Sequence, residues 1–329
     1  MKKLFLVFAL CFSFLIQGTL AFGEQQESDS AIGFKYYLKG NYEKAEGYLK
    51  SASDKGDHLS QCFLAEIYEK TGKYKLAEEY YKLAIAGGYR SAEYSLGKLC
   101  YRIGDYEQAE KYLKLGADRE DRDSQLWLGN LYIQTEDYDK AIKYYKLASD
   151  QGDFSATFNL GSIYYMNEDY DKAIKYFKIL ADAGYVEGME FLGIAYAGKQ
   201  DWSNSEKYHK QAVEQGSIES CFFLGARYRE QGKMDLAKKY LKLGADNGSS
   251  DSQAMLGSIY LKEKQYDLAM KYLEKGAKAN NKDAYFVMGL MFTELAQYRS
   301  AEQCYVAAIQ LGNKFAEEKL IELRKFMNE

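Results

Sequence analysis

A repeat of 32 residues runs through most of this sequence. The stretch LGNLYIQTEDYDKAIKYYKLASDQGD, residues 128–153, returns almost unchanged as LGSIYYMNEDYDKAIKYFKILADAGY, residues 160–185. Looser copies extend in both directions over most of the 329 residues. Self-similarity at a period of this size is typical of solenoids, in which each repeat is one supersecondary unit that packs on its neighbours.

A Leu-Gly pair marks the phase of the repeat, and an aromatic residue follows nearly every Leu by four positions. This gives the i, i+3, i+4 apolar spacing of a helix. The small residues of the repeat form its structural signature: Gly97, Gly129, Gly161, Gly193, Gly225, Gly257, Ala109, Ala141 and Ala173. We expect the glycine and alanine of one repeat, such as Gly129 and Ala141, to lie where two helices approach most closely, because larger side chains there would force them apart.

Each repeat therefore predicts two antiparallel helices joined by short turns. Short polar residues precede the second helix and predict N-caps: Asn41, Asp105, Asp137, Asp169 and Asp201. Glycines follow it and predict its C-terminal end: Gly56, Gly88, Gly152, Gly184, Gly216, Gly248 and Gly312. We predict an all-α solenoid with nine tandem helix pairs over residues 24–313 and a charged capping helix over residues 314–329.

Residues 1–23 have the features of a secretory signal peptide. Lys2 and Lys3 supply positive charge, an apolar run covers residues 4–16, and small residues such as Ala21 and Gly23 suit cleavage. The apolar run is too short to predict a membrane span, and no later stretch is apolar enough for one. We therefore expect an exported protein, periplasmic or secreted, without a transmembrane segment.

Four cysteines follow this segment, at Cys62, Cys100, Cys221 and Cys304. An exported protein with four cysteines can form two disulfides, but these four occupy four different positions of the repeat. A disulfide framework built into the repeat would use the same position each time. We expect buried free thiols, with a bond between Cys62 and Cys100 in neighbouring repeats as the alternative.

The sequence contains no recognisable catalytic, metal-binding or cofactor-binding constellation. His209 replaces an apolar residue of the repeat and is expected to pack in the core, whereas His58 is expected in a solvated turn. Acidic pairs such as Glu136-Asp137 recur in turns and are interpreted as helix caps, with divalent-metal binding as the alternative. The net charge of −4 with interleaved signs argues against nucleic-acid binding, which needs a basic patch.

A slower alternation overlies the repeat and supplies the candidate binding residues. With the Leu of the Leu-Gly pair counted as position seven, aromatic residues occupy position five in every second repeat: Tyr94, Phe158, Phe222 and Phe286. Position twelve follows the same alternation through the first half of the chain: Tyr37, Tyr101 and Tyr165. Aromatic residues dominate interface hot spots, so both rows are candidates for a binding surface on the first helices.

Packing is the alternative explanation for position five. Position six carries a large side chain, such as Phe63, Trp127 or Phe191, in repeats without a position-five aromatic, and a core needs constant filled volume. Position twelve shows no such compensation. The tyrosines at position twelve are therefore the stronger binding candidates.

The motif L-G-x-x-Y followed by A-x-x-x-F, over residues 160–177, resembles the tetratricopeptide repeat. That repeat usually has a 34-residue period and a late proline, both absent here. The pattern A-x-x-x-G-x-x-x-A-x-x-x-L-G, over residues 148–161, is similar to the Sel-one-like repeat, a relative of the tetratricopeptide repeat. The resemblance implies a right-handed superhelix whose first helices line a concave surface, and an interaction scaffold of the exported, bacterial type.

These observations favour a non-enzymatic scaffold of the cell envelope, or a secreted one, that binds a protein or peptide along the concave face. One alternative is a module that binds glycan or peptidoglycan through the same tyrosines. Another, raised by the resemblance, is an enzyme acting on β-lactams or cell-wall material. No Ser-x-x-Lys motif stands in a setting that favours this enzyme.

Overall fold

The structure is a computed structural model that describes residues 27–328, so the predicted signal peptide at 1–23 lies outside the described residues. Residues 27–328 form nineteen α-helices and no strand, which confirms the predicted all-α class. The chain divides into two compact units, at Thr135 and Glu136. We number the helices in chain order; odd numbers are the first helices of the repeats and even numbers the second helices.

Unit 1, as described, covers residues 27–135. Its helices are α1 (Asp29–Leu38), α2 (Tyr42–Asp54), α3 (His58–Lys70), α4 (Tyr74–Ala86), α5 (Ser91–Ile103), α6 (Tyr106–Ala117) and α7 (Arg122–Gln134).

Unit 2, as described, covers residues 136–328. Its helices are α8 (Tyr138–Asp150), α9 (Phe154–Met166), α10 (Tyr170–Asp182), α11 (Val186–Gly198), α12 (Trp202–Glu214), α13 (Ile218–Glu230), α14 (Met234–Asp246), α15 (Ser250–Lys262), α16 (Tyr266–Lys278), α17 (Lys282–Glu294), α18 (Tyr298–Gln310) and α19 (Phe315–Asn328).

Short oxygen acceptors begin the second helices as predicted. The Asp137 carboxylate accepts the backbone N–H of Lys140 at 3.2 Å, which occupies one of the N–H groups that a helix start leaves without a partner. The other predicted caps make the same contact: Asn41, Asp105, Asp169 and Asp201. The acidic pairs of the turns are therefore explained by capping through the aspartate, whereas Glu136 adopts a positive φ of 61°.

Residues in the left-handed region form the turns of the array. The seven glycines predicted to end second helices have φ between 81° and 97°. The turn inside each pair uses the same conformation, which was not predicted from the sequence. Glycine supplies it at Gly104, but Ala296 also adopts it, with φ of 56°, although a Cβ makes this conformation unfavourable by about 1 kcal/mol.

The glycine of each Leu-Gly pair lets a side chain of the second helix pack directly on the first helix. A Cβ added to Gly161 would lie 2.6 Å from Phe177, and one added to Gly97 would lie 2.6 Å from Leu113. The nearest side chain to each such glycine belongs to a larger residue sixteen positions later, and a Cβ added to Gly257 would also lie 3.4 Å from the backbone oxygen of Ala269. The alanines, such as Ala173, are fully buried nearby. The glycines with this contact are Gly97, Gly161, Gly193, Gly225 and Gly257; Gly129 and Ala141 are buried.

A second regular contact joins the aromatic residue of the first helix to a tyrosine of the second. The rings of Tyr164 and Tyr176 stack with centroids 5.6 Å apart and planes 3° apart. Closer to the turn, the rings of Tyr165 and Tyr170 lie 5.6 Å apart. Residues farther from the turn on the first helix thus contact residues farther from the turn on the second helix, as in an antiparallel pair.

The last helix, α19, packs on α18 through buried Ala316 and Leu323, and the Arg324 guanidinium donates to Glu302 at 2.7 Å. Its outer side carries the predicted charges. It also exposes Ile321, which is 69% accessible and occupies the position that is glycine in most repeats. The exposed side of α19 is therefore less polar than predicted.

Candidate binding surface on the first helices

Tyr37 lies on α1 in a network of charged and aromatic side chains. Its hydroxyl donates to the Glu66 carboxylate of α3 and accepts from the Lys70 ammonium at 2.9 Å. The Lys70 ammonium also lies 4.6 Å from the Tyr37 ring centroid, and the Phe63 ring lies 5.1 Å away. Burial, together with the hydrogen bond to Glu66, raises the pKa of Tyr37 to about 12. The Tyr37 ring is therefore half-buried and held in one orientation, and its hydroxyl stays protonated at neutral pH.

Tyr101, on α5, is held by aromatic rings. Its centroid lies 5.4 Å from Trp127 of α7 in an edge-to-face arrangement and 5.8 Å from Tyr106 of α6. Such pairs add about 0.5–1.5 kcal/mol beyond the burial of area. Burial raises the pKa of Tyr101. Like Tyr37, it is half-buried, and part of its ring is accessible on the first-helix side of unit 1.

Tyr165, the position-twelve tyrosine of unit 2, has simpler surroundings. It lies at the end of α9, half-buried, with the Tyr170 ring as its neighbour. The next residue, Met166, is 78% exposed. The structure thus gives Tyr37 and Tyr101 networks of polar and aromatic side chains within unit 1, whereas Tyr165 packs against the apolar cluster that contains Phe177 within unit 2.

The position-five aromatics of unit 2 pack on its core. Phe158 lies 5.8 Å from Phe177 and 4.8 Å from Phe191. Phe222 packs against the cluster that contains Leu224, and Phe286 packs on two clusters. All three are half-buried, so packing accounts for much of this row.

Tyr94, the position-five aromatic of unit 1, has a different neighbour. The Lys98 ammonium lies 5.8 Å from its ring centroid and 5.9 Å from that of Trp127. Burial, followed by the nearby Asp123 charge, raises the pKa of Tyr94. Unit 1 therefore brings Tyr94 and Tyr101 together around Trp127 and Lys98.

Lys70, Lys98 and Trp127 belong to this surface but were not predicted from the sequence. The repeat pattern favours volume compensation for Trp127 and assigns no role to the two lysines. The available signal was their spacing: Lys98 follows Tyr94 by four residues, and Trp127 occupies the compensating position in the next repeat. Only the structure shows that they meet, because the contacts cross from one repeat to the next.

A cavity of about 530 Å³ lies at the end of unit 2, bounded by first helices α15, α17 and α19 with residues of α18. Leu261, Leu290 and Phe326 form apolar parts of its wall, and Lys262 and Glu294 stand among its charged residues. Its volume is in the range of small-molecule pockets. The capping helix thus contributes to a concave surface as well as covering the core.

The two histidines, which were the remaining candidates for a chemical role, pack against neighbouring residues of the fold. His209 is 2% exposed; its Nδ1 lies 2.9 Å from the Ser220 hydroxyl, and burial lowers its pKa to about 4, which confirms the predicted core position. The prediction for His58 is wrong: it begins α3 and its half-buried ring packs against Gly87, which has no Cβ to prevent this. Within residues 27–328, no cluster of three or more His, Cys, Asp or Glu residues could hold a metal ion.

All four cysteines of the described chain are buried and free, as expected, and the alternative bond between Cys62 and Cys100 is not formed. Burial raises the pKa of Cys62 to about 12 and those of Cys100 and Cys304 to about 11. None of the helices between residues 27 and 328 has both the length and the apolarity needed to cross a membrane.

The protein consists of tandem antiparallel helix pairs, and in most pairs a glycine of the first helix contacts a side chain of the second. This arrangement defines its class as an α-helical repeat scaffold. The tetratricopeptide-repeat family matches residues 60–86, 94–156, 128–185 and 250–283, and the Sel1-repeat family matches residues 31–57 and 218–249. The chain belongs to the superfamily of Sel1 and tetratricopeptide repeats. Scaffolds of this fold typically mediate protein–protein interactions.

Solved structures show the same fold. A Sel1 repeat protein from Oxalobacter formigenes has a TM-score of 0.70 and 22% identity over 93% of this chain and 97% of its own. A protective antigen with an SLR fold from uropathogenic Escherichia coli has a TM-score of 0.61 and 23% identity over 89% of this chain and 70% of its own. Yeast Tom70 has a TM-score of 0.53 and 14% identity over 94% and 65%. A search of curated proteins gives no significant match.

Proposed function

We propose that the protein is an exported, non-enzymatic scaffold that binds a protein or peptide through the first helices of its repeats. The observation that best supports this proposal is a pair of partly accessible tyrosines in unit 1, Tyr37 and Tyr101, which neighbouring side chains hold in place. Aromatic side chains with few remaining rotamers lose little entropy on binding, which favours them as anchors.

The absence of enzymatic activity is supported by the surroundings of the nucleophilic side chains. The buried thiols stay protonated at neutral pH because burial raises their pKa. A protonated thiol is a poor nucleophile, since the reactive form is the thiolate. The His209 ring is enclosed between Gly193 and Phe223. Incubation of the purified protein with a chromogenic β-lactam tests this part, and we expect no hydrolysis above the buffer rate.

Export is supported by the composition of residues 1–23. Expression of the full chain in a Gram-negative host, followed by fractionation and N-terminal sequencing, tests it. We expect the envelope fraction or the medium to contain protein that begins after Ala21 or Gly23. Full-length protein confined to the cytoplasm would contradict this proposal.

Partner binding can be tested with matched triple variants. Tyr37→Ala, Tyr101→Ala and Tyr165→Ala together remove the position-twelve tyrosines of the first helices. A control removes three tyrosines of second helices instead: Tyr48, Tyr112 and Tyr144. We expect proteins cross-linked to the native chain in envelope extract to be lost with the first variant and retained with the control.

The same variants separate protein from glycan partners. Insoluble peptidoglycan is incubated with the native chain and sedimented. Co-sedimentation that is abolished by the first-helix variant, without any protein partner that depends on these tyrosines, would replace the proposal with the glycan-binding alternative.

A further inference from the structure

Lys98 lies in the middle of α5 on the first-helix side of unit 1, between two aromatic rings. Its ammonium is 5.8 Å from the Tyr94 centroid and 5.9 Å from the Trp127 centroid, and Trp127 in turn contacts Tyr101. The side chain is half-buried. Aromatic rings attract an ammonium weakly, by about 0.5–1 kcal/mol where the site is exposed, and they restrict where it can lie.

Within residues 27–328, no carboxylate lies within ion-pair distance of the Lys98 ammonium, although carboxylates stand nearby. Glu69 pairs with Arg102, and Asp123 of α7 pairs with Arg122 at 3.1 Å. Lys70, the other lysine of this surface, is bonded to the Tyr37 hydroxyl. Lys98 is therefore a half-buried cation beside two rings, and the nearby carboxylates Glu69 and Asp123 are paired with arginines.

We propose that the partner places a side-chain carboxylate on Lys98 and packs an adjacent large apolar side chain against Trp127 and Tyr101. This inference rests on the proposed function and specifies it: the partner segment is a peptide with Asp or Glu next to an aromatic or branched aliphatic residue. Charge complementarity supports the acid, since a carboxylate supplies the missing counter-charge. The accessible ring surface supports the apolar neighbour.

The surrounding charges favour one carboxylate over a polyanion. Glu66 and Glu69 lie on the neighbouring first helix α3 and Asp123 on α7, and the chain carries a net charge of −4. A nucleic acid or a polyanionic glycan would bring many negative charges close to these carboxylates, and it needs several cations to bind. A single acidic side chain brings one negative charge and therefore meets much less repulsion at Lys98.

The test starts from a phage-displayed random dodecapeptide library that is panned against the native protein. We expect enrichment of peptides with Asp or Glu beside Phe, Trp, Leu or Ile. A selected peptide is then synthesised twice, as selected and with its acid replaced by the amide. Both forms are measured by fluorescence anisotropy against native protein, Lys98→Met and Lys98→Arg.

A matched control is Lys111→Met. The Lys111 ammonium also lies over a tyrosine, 5.3 Å from the Tyr112 centroid, but on second helix α6. We expect Lys98→Met and the amide peptide each to raise Kd about tenfold, with no further rise when combined, because they remove the same contact. Lys98→Arg and Lys111→Met should change Kd less than about twofold.

Three outcomes separate this inference from the proposed function. Peptides that lose binding with Tyr101→Ala but bind Lys98→Met and native protein equally would overturn the inference and leave the proposed function standing. Peptides indifferent to all first-helix variants, or no enriched peptide, would overturn both. Tight binding of the polyanion polygalacturonate that depends on Lys98, without an acidic preference among the peptides, would also overturn the inference.

Discussion

In unit 1, the aromatic residues of the first helices contact charged side chains: Tyr37 is bonded to Glu66 and Lys70, and Tyr94 lies beside Lys98. In unit 2, Phe158 occupies the same repeat position as Tyr94 but packs on Phe177 and Phe191. A hydroxyl group explains much of the difference, because tyrosine needs a polar partner when half-buried and phenylalanine does not. The same position of the repeat thus lies beside a charged side chain in unit 1 and packs on apolar rings in unit 2.

The largest expected effect tests the packing role in unit 2. Phe158→Ala should lower the free energy of unfolding by about 3 kcal/mol, because it leaves a cavity between Phe177 and Phe191. Tyr101→Ala should cost less, because its ring neighbours Trp127 and Tyr106 are only partly buried, whereas Phe177 is fully buried. Urea unfolding of both full-length variants measures this difference. Equal losses would remove the distinction between the two units.

The next effect concerns His209, which fills in unit 2 the place that Leu113 fills in unit 1. Burial lowers its pKa from 6.5 to about 4, so the fold favours the neutral ring. Stability from this group is complete above pH 6.5 and is lost as the pH falls from 6.5 towards 4. At pH 5 the loss is about 2 kcal/mol, from 1.36 kcal/mol per pKa unit.

Thermal unfolding of native protein and His209→Leu at pH 7 and pH 5 measures this contribution. Leucine is the residue at the same position of four repeats: Leu49, Leu113, Leu241 and Leu273. We expect the native protein to lose more stability than the variant between the two pH values. Identical losses would show that the imidazole does not carry the pH dependence.

A smaller effect tests the polar network of unit 1. Tyr37→Phe removes the hydroxyl that bridges Glu66 and Lys70 and should cost about 1 kcal/mol. Tyr165→Phe in unit 2 is the matched control and should be nearly neutral, because Tyr165 packs through its ring on Tyr170 and on the apolar cluster that contains Phe177. Denaturant midpoints of the two variants compare them directly. A larger loss for Tyr165→Phe would reverse the assignment of polar and apolar roles.

The sequence predicted the elements that repeat, because period, caps and glycine positions depend on local chemistry. Asp137 caps α8 wherever the helix lies, and Gly152 ends it for the same reason. The contacts of the candidate surface were harder to predict. Trp127 meets Tyr101 and Lys98 across a repeat boundary, and a one-dimensional pattern does not show which side chains meet there. Likewise, the contact of Gly161 with Phe177, sixteen residues later, depends on how far the helices are rotated about their axes.

The turns inside the helix pairs also differ between the two units, in the residue that occupies the left-handed position. The smallest expected effect on stability concerns this position. In unit 1 the left-handed position is glycine: Gly40, Gly72 and Gly104. In unit 2 most of these positions carry side chains, as at Ala296, with φ of 56°. Ala296→Gly removes the Cβ that makes the left-handed conformation unfavourable, which stabilises the fold. This gain is partly offset because glycine gives the unfolded chain greater conformational freedom. We expect a gain of about 0.5 kcal/mol, seen as a small rise in Tm, and a comparable loss for Gly104→Ala in unit 1. A loss of stability in both variants would show that the turn at Ala296 is held by its side chain, so that the two units use different means to form the same turn.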